Sequence, residues 1–486
     1  MLSAIRAKMT SRLRAALAIR ALRLRASAAA IGSRFRPSVR CAVAVASRFR
    51  SDVACPEAAT WRFRPCLPFA LVILLVQIGA VAATAQELPR ADPVAAGFIP
   101  ERLDRIGAFL DDYTSNGSLP GAVVTILRDG AVVYEKAAGH RDMESGDGMR
   151  TNAIFRIASQ TKAVVSVAVM ILQEDGALLI SDPVARYLPA FARTTVAVPR
   201  TDTAGYDVVG ANRRITIRHL LTHTAGVAYG GGPGGDQWQE ADITGWYFAH
   251  RDEPVRATVD RMAELPFQAQ PGSRFVYGYS TDILGALVEE VSGMNLDEFL
   301  YRRIFEPLGM EDTFFYLPPD RTRRLATVYG HDGEGNLVRS PDGPGMNTQG
   351  QYTSGPRISF SGGAGLLSTA RDYARFLQMM LNGGSLGDAR ILSPATVALM
   401  TSNHVGDKMG NGVGFGLGFQ VRLDLGAAGA PGSIGDFGWG GAYHTTFWVD
   451  PAERLVVVYF TQLRSFRPVD DHGKLRALVY GALAGK

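Results

Sequence analysis

Residues 154–176 read IFRIASQTKAVVSVAVMILQEDG. From Ser159 to Leu172 the side chains are apolar almost all round a helix, and Gly176 follows as a terminator. A helix that is apolar on every face belongs in the interior of a domain. The stretch therefore predicts a buried helix with Ser159 at its N-terminus.

Ser159 and Lys162 form an S-x-x-K pair, which places the amine and the hydroxyl on one helical face. Lysine is rare in this chain, with six residues among 51 basic ones. Unlike arginine, a partly desolvated lysine can exchange a proton, and the helix N-terminus favours a developing alkoxide. Taken alone, the pair is also compatible with Ser159 as a helix cap and Lys162 extending to solvent.

Tyr277 closes the turn PGSRFVY at residues 271–277, just before a helical pattern at Asp282–Val291. A tyrosine at such a junction can project inward and shuttle protons if a cation such as Lys162 is near. The alternative is a core aromatic with a satisfied hydroxyl.

A glycine pair lies in the stretch Trp439-Gly440-Gly441-Ala442 at a predicted strand. Glycines there favour close backbone approach by a ligand, and an edge strand can present the Ala442 amide opposite the Ser159 amide as an oxyanion hole. A structural bulge is the alternative.

Two further sequence patterns give weaker evidence for a functional site. Gly383–Gly387 matches G-x-S-x-G but follows a helix, whereas the nucleophile elbow requires a preceding strand. The eight histidines show no metal-binding spacing, so we expect neither a metal nor a cofactor, and His223 is interpreted as a packing residue near the site.

Periodicity and turn residues predict one sheet domain interrupted by a helical one. We expect an α/β domain at 86–180 and 355–486 and a mostly helical insertion at 181–354. The predicted elements are a helix from Pro100, a hairpin turning at Asp129-Gly130, a helix at Thr369–Leu381, strands at Gly414–Leu423, Gly438–Asp450 and Arg454–Gln462, and a C-terminal helix from about Val469.

The N-terminal region differs from the rest. Residues 1–65 carry thirteen arginines and Lys8 against two acids, so with a net charge of +5 the remaining chain is acidic, which argues against nucleic-acid binding.

Residues 67–82 are apolar and precede Ala83-Thr84-Ala85, which predicts a signal peptide cleaved near Ala85 and export to the periplasm or medium. An uncleaved anchor is the alternative. For residues 1–65 a transit peptide and an over-extended translation start both stay open. All three cysteines precede the cleavage point, so we expect no disulfide in the mature part.

With S-x-x-K, tyrosine and Gly-Gly in this order, residues 90–485 resemble class C β-lactamases, low-molecular-weight penicillin-binding proteins and especially family VIII carboxylesterases. The resemblance implies an antiparallel sheet flanked by N- and C-terminal helices, an all-helical domain, and a cleft between them. It also implies an acyl-enzyme on Ser159, with Lys162 and Tyr277 handling its proton.

Two departures guide the choice of substrate. Trp439 stands where β-lactamases and peptidases usually carry a cation that anchors the substrate carboxylate, and Tyr279 stands where Tyr-x-Asn would place an amide-recognising asparagine. We therefore predict a carboxylesterase for short-chain or aryl esters, with Tyr279 and Trp439 contacting the substrate. A β-lactamase or D-amino-acid peptidase, an acyltransferase or amide hydrolase, and a non-catalytic sensor stay as alternatives, and the oligomeric state stays open.

Overall fold

A computed structural model of the chain describes residues 88–485, which contain sixteen strands and twelve α-helices. The helices are α1 (Pro100–Ser115), α2 (Thr161–Glu174), α3 (Ile217–Leu221), α4 (Gly235–Glu240), α5 (Val255–Met262), α6 (Ser280–Ser292), α7 (Leu296–Leu300), α8 (Glu306–Leu308), α9 (Ala370–Leu381), α10 (Pro394–Met400), α11 (Leu425–Ala428) and α12 (Asp471–Gly481). The strands are β1 (Gly121–Arg128), β2 (Ala131–Asp142), β3 (Asp147–Gly148), β4 (Phe155–Arg156), β5 (Thr195–Pro199), β6 (Tyr206–Gly210), β7 (Tyr329–His331), β8 (Leu337–Arg339), β9 (Leu367–Ser368), β10 (Ser385–Leu386), β11 (Ala389–Arg390), β12 (Val413–Phe415), β13 (Gln420–Arg422), β14 (Phe437–Gly441), β15 (Thr445–Asp450) and β16 (Leu455–Thr461).

The main sheet joins the two ends of this range. Its eight antiparallel strands follow the order β12-β13-β14-β15-β16-β1-β2-β3, so β1 pairs with β16 from the other end of the chain. The β1–β2 turn has positive φ at both Asp129 (55°) and Gly130 (83°), the conformation of a primed two-residue turn. The predicted hairpin is confirmed.

Both faces of the sheet are covered. Strands β1 and β16 are buried along their full lengths, since α1 and α12 pack on one face while α2 and α9 pack on the other. Helix α2 is buried from Thr161 to Leu172, which confirms the prediction from its apolar residues. The observed fold is the predicted antiparallel sheet with flanking N- and C-terminal helices.

Residues 181–354 contribute no strand to the eight-stranded sheet of the described range. They form α3 to α8 and two small hairpins, β5–β6 and β7–β8, which the sequence pattern did not reveal. Their assignment as a separate inserted domain stays a prediction.

Two predicted strands are wrong in detail. Gly414–Leu423 and Gly438–Asp450 are each a hairpin of two strands, because residues inside them adopt left-handed backbone conformations. Gly418 has a φ of 95° and His444 a φ of 64°, and such residues turn a chain that the apolar pattern alone would continue.

The predicted signal peptide and the arginine-rich extension lie outside the described residues. Between Leu88 and Gly485 no helix has the length and apolar character that crossing a bilayer would require.

Candidate active site

Ser159 lies in a single 3-10 turn, Ala158–Gln160, between β4 and α2. Strand β4 pairs with β9, and the Ile157 amide donates to Leu366 O at 3.1 Å, so the segment is fixed on its inner side. Ala158 has a φ of 42°, a strained conformation for a residue with a Cβ. The turn places Ser159 in the wall of an open cleft.

Lys162 is buried one turn further along, with 2% of its surface exposed. Its Nζ donates to Gly363 O at 2.7 Å, to the Tyr229 hydroxyl at 2.8 Å and to Ser159 Oγ at 3.5 Å. The three ammonium hydrogens thus have three oxygen acceptors. The structure therefore brings Ser159 and Lys162 together, as their spacing predicted.

Tyr277 faces the same group from the segment before α6. Lys162 Nζ lies 4.7 Å from the centre of the Tyr277 ring, and the Trp439 indole nitrogen donates to the Tyr277 hydroxyl at 3.1 Å. His223 packs beneath, 4.7 Å from the Tyr277 ring by centroids. Burial, and secondarily the Lys162 charge, hold the pKa of His223 well below its ordinary value, so this imidazole is neutral.

Tyr229 was not predicted as a site residue. It comes from a glycine-rich loop after α3, lines the cleft and packs its ring edge-on to Tyr277 at 5.8 Å. Burial raises its pKa well above the ordinary value, and the neighbouring Tyr277 and Asp282 act in the same direction. The sequence signal was weak, since only a tyrosine within a run of glycines marks the position.

Asp282 supports Lys162 from behind. Its Oδ1 accepts from Ser361 Oγ at 2.6 Å and from the Gly363 amide at 3.0 Å, and Ser361 Oγ accepts from the Ala364 amide at 3.2 Å, so both peptides around the carbonyl that binds Lys162 are held. A Cβ on Gly363 would lie 2.3 Å from Asp282 Oδ2, so only glycine fits there. Burial raises the pKa of Asp282, while the Lys162 charge opposes that shift.

The predicted glycine pair lies at the exposed end of β14. Strand β13 pairs with β14 only at Phe437 and Gly438, which leaves Gly440 and Gly441 at an edge. A Cβ on Gly441 would meet Ile157 O at 2.4 Å, so this glycine allows β14 to approach the nucleophile segment. The close approach that we predicted for a ligand is thus made by the backbone next to Ser159.

Ala442 follows the pair and lines the cleft. Its amide donates to no backbone group of the described chain, whereas its carbonyl accepts from Arg464 at 2.9 Å. A backbone amide without an acceptor, in a residue that lines the same cleft as Ser159, is a candidate oxyanion-hole donor. The predicted pairing of the Ser159 and Ala442 amides stays a prediction.

The cleft has a volume of about 620 Å³, and its lining includes Ser159 and six aromatic residues, Tyr229, Trp246, Tyr277, Trp439, Phe447 and Trp448. At its far end Asp436 pairs with Arg422 at 2.8 Å and also with Arg476. This ion-paired end was not predicted. Rings of this size suit an apolar acyl or aryl group.

Tyr279 does not reach the cleft, contrary to our prediction that it contacts the substrate. Its side chain is 0% exposed and stacks on Trp238 at 5.5 Å, with Tyr229 between it and the open space. Tyr279 is the N-cap residue of α6, with a φ of −73° and a ψ of 4°, and its ring packs into the core. Tyr279 is therefore a packing residue behind Tyr229.

One group of side chains in the described range has donors close enough for a metal, with His444, Asp471 and His472 atoms within 4.8 Å of one another. The two imidazoles stack at 4.1 Å with planes 29° apart, and Asp471 accepts from His444 at 2.7 Å and from Tyr459 at 2.7 Å. Stacked rings direct their in-plane lone pairs side by side, so these donors do not converge on one ion. The arrangement is a hydrogen-bonded packing network.

Comparison with known proteins agrees with this geometry. A family model described as Beta-lactamase matches residues 104–481. Esterase EstB of Burkholderia gladioli is 33% identical over 392 residues, covering 77% of this chain and 93% of its own. A putative D-alanyl-D-alanine carboxypeptidase of Escherichia coli K12 is 28% identical, covering 83% and 92%. The solved structure of EstCE1, described as a hydrolase with promiscuous acyltransferase activity, is 28% identical with a TM-score of 0.66, covering 81% of this chain and all of its own.

Proposed function

Because the chain belongs to the β-lactamase family of serine hydrolases, we propose that it is a carboxylesterase for short-chain or aryl esters. The observation that carries the choice of substrate is the Trp439 indole, which donates to Tyr277 at 3.1 Å where related peptidases and β-lactamases are expected to carry a cation. The cleft then offers aromatic surface around Tyr277, while its two arginines, Arg422 and Arg476, are ion-paired with Asp436.

The proposed reaction follows from the positions of these groups. Ser159 Oγ attacks the ester carbonyl, the Lys162–Tyr277 pair takes up its proton, and the Ser159 and Ala442 amides stabilise the oxyanion. The proton then passes to the leaving alcohol, and water releases the acyl group from Ser159. The pH dependence of kcat/KM tests which of Lys162 and Tyr277 is the formal base.

Acyl transfer is the second candidate. The aromatic lining of the cleft can hold an alcohol acceptor in place of water, and EstCE1 is described with such an activity. The test is partition of the acyl group between water and an added short alcohol. If the fraction of acyl groups transferred to the alcohol exceeds the alcohol's mole fraction relative to water, the result would favour a transferase.

Initial rates with p-nitrophenyl butyrate and with nitrocefin test the esterase proposal. We expect rapid ester hydrolysis, slow nitrocefin hydrolysis, and loss of both in Ser159→Ala. Fast nitrocefin hydrolysis would favour a β-lactamase instead. Full activity in Ser159→Ala would reject the nucleophile, and no labelling by a fluorophosphonate probe would favour a sensor without turnover.

We also propose that the protein is exported after cleavage near Ala85. The apolar run at 67–82 and the small residues after it support this proposal. The intact mass of protein recovered from the expressing cell gives the test, since cleavage leaves Gln86 as the first residue.

A further inference from the structure

Two hydrogen-bond donors converge on the hydroxyl oxygen of Tyr277. One is the Trp439 indole nitrogen at 3.1 Å. The other is the hydroxyl of Tyr229, whose ring lies edge-on to that of Tyr277 with centroids 5.8 Å apart and whose hydroxyl interacts with Tyr277. Neither donor carries a charge.

The direction of the second hydrogen bond follows from its neighbours. An ammonium group only donates, so the Tyr229 oxygen accepts from Lys162 at 2.8 Å and must direct its single proton elsewhere. The raised pKa of Tyr229, caused first by burial, keeps that proton in place. An indole N–H likewise only donates. Tyr277 is therefore the acceptor in both bonds, and its remaining position faces the cleft.

We propose that Tyr229 and Trp439 are positioning residues that hold the Tyr277 oxygen as the acceptor of the Ser159 proton, two neutral donors in place of one cation. The inference rests on the proposed roles of Ser159 and Tyr277. The step starts from Tyr277 as the phenolate, its own proton having left to solvent through the cleft. As the Ser159 Oγ–carbon bond forms, the Oγ proton passes to the Tyr277 oxygen and the carbonyl electron pair moves onto oxygen. Tyr277 later gives that proton to the leaving alcohol oxygen as the electron pair re-forms the carbonyl and the ester C–O bond breaks, so Lys162 neither gains nor loses a proton over the step.

The charged and titratable groups around Tyr277 are few. Lys162 faces it from α2, Tyr229 from the glycine-rich loop and His223 from the loop after α3, with Asp282 behind Lys162 and Tyr229. His223 is held neutral by burial. Trp439→Phe keeps all four groups, and Tyr229→Phe removes only one hydroxyl, so each variant isolates the contribution of a single donor.

The experiment measures kcat/KM for p-nitrophenyl butyrate from pH 5 to 10 in Tyr229→Phe and Trp439→Phe. Hydrogen-bond donors stabilise the deprotonated form of the accepting oxygen. Losing one donor should therefore move the acid-side midpoint of the kcat/KM profile up by about one pH unit. At neutral pH the same loss should lower kcat/KM about tenfold. The loss is expected in kcat rather than KM. Trp439→His, which keeps an N–H donor, should recover part of the Trp439→Phe loss.

The matched control is Tyr279→Phe, which removes a hydroxyl from the same cluster but makes no contact with Tyr277. An unchanged midpoint in both test variants, or a loss confined to KM, would overturn the inference. If Trp439→Phe does not fold, Tyr229→Phe decides alone, since it deletes one oxygen atom. Full activity in Tyr277→Phe would instead reject the proposed function, so the two failures are distinguishable.

Discussion

Arg156 and Lys162 are two buried cations six residues apart, and they behave differently. Both are at most 3% exposed, and neither forms an ion pair with a carboxylate in residues 88–485. In each case uncharged oxygens replace water around the charge. Comparing them shows how a buried cation with a structural role differs from one placed to take part in catalysis.

Arg156 ties three distant segments together. Its guanidinium donates to Gln349 O at 2.9 and 2.6 Å, to Ala326 O at 2.6 Å and to Gln462 Oε1 at 3.2 Å. Burial lowers its pKa from the ordinary value, yet a guanidinium keeps its proton in any folded protein. Its role is to satisfy fixed carbonyls.

Lys162 has one fixed carbonyl, Gly363 O, and two hydroxyls, those of Tyr229 and Ser159. Hydroxyls can give up or accept protons, whereas backbone carbonyls cannot give any. The difference lies in the partners, since both cations are equally buried. A buried cation whose partners are hydroxyls facing a cleft is the one to connect with catalysis.

Replacing Lys162 sharpens the comparison most. We expect Lys162→Met to lower kcat/KM for p-nitrophenyl butyrate at least a thousandfold, because the positive charge that faces Tyr277 and Ser159 Oγ is lost. The free energy of unfolding should change by no more than about 1 kcal/mol, since an apolar side chain avoids burying a charge. A variant with near-normal turnover would remove Lys162 from the mechanism.

Arg156→Met should lower the stability of the protein and leave its activity nearly unchanged, the opposite of Lys162→Met. Leaving Gln349 O and Ala326 O without donors should cost about 3 kcal/mol in the free energy of unfolding by urea. Arg156→Lys, which keeps the charge and fewer donors, should lose less. Activity per folded molecule should stay within a few-fold, and a selective loss of activity would contradict the structural role.

His472 adds a partly buried base whose charge depends on pH. Burial first, and the His444 charge second, lower its pKa to about 4. Since the unfolded value is near 6.5, its contribution to stability is complete above pH 6.5 and is lost as pH falls towards 4. Between pH 7.5 and pH 5 we expect wild type to lose about 2 kcal/mol more than His472→Gln in urea unfolding. Equal losses in the two proteins would reject this assignment.

The smallest effect is expected for Tyr279→Phe. Its hydroxyl is buried and has no hydrogen-bond partner in the described residues, so its removal should change the free energy of unfolding by less than about 1 kcal/mol. The pH profile and KM should match those of wild type. A raised KM would restore the substrate contact that we first predicted for Tyr279.

Local sequence patterns went far for the fold and less far for the site. The hairpin at Asp129-Gly130, the buried helix after Ser159 and the helix capped by Thr369 all form from residues adjacent in sequence, and each was predicted. The hairpins within residues 413–422 and 437–450 were predicted as single strands. The periodicity of apolar residues does not reveal a single residue with a left-handed backbone conformation, such as His444.

The sequence by itself determined the Ser159–Lys162 pair, the presence of Tyr277 and the lack of a cation at Trp439, because these depend on residue type and on spacing within one turn. Tertiary structure alone decided that Tyr229, 67 residues from Lys162, and Gly363, 201 residues away, are its acceptors. It also decided that Tyr279 packs in the core and not in the cleft. Contacts over such separations arise from the packing of α2, α6 and the glycine-rich loops against one another, and no local periodicity encodes that packing.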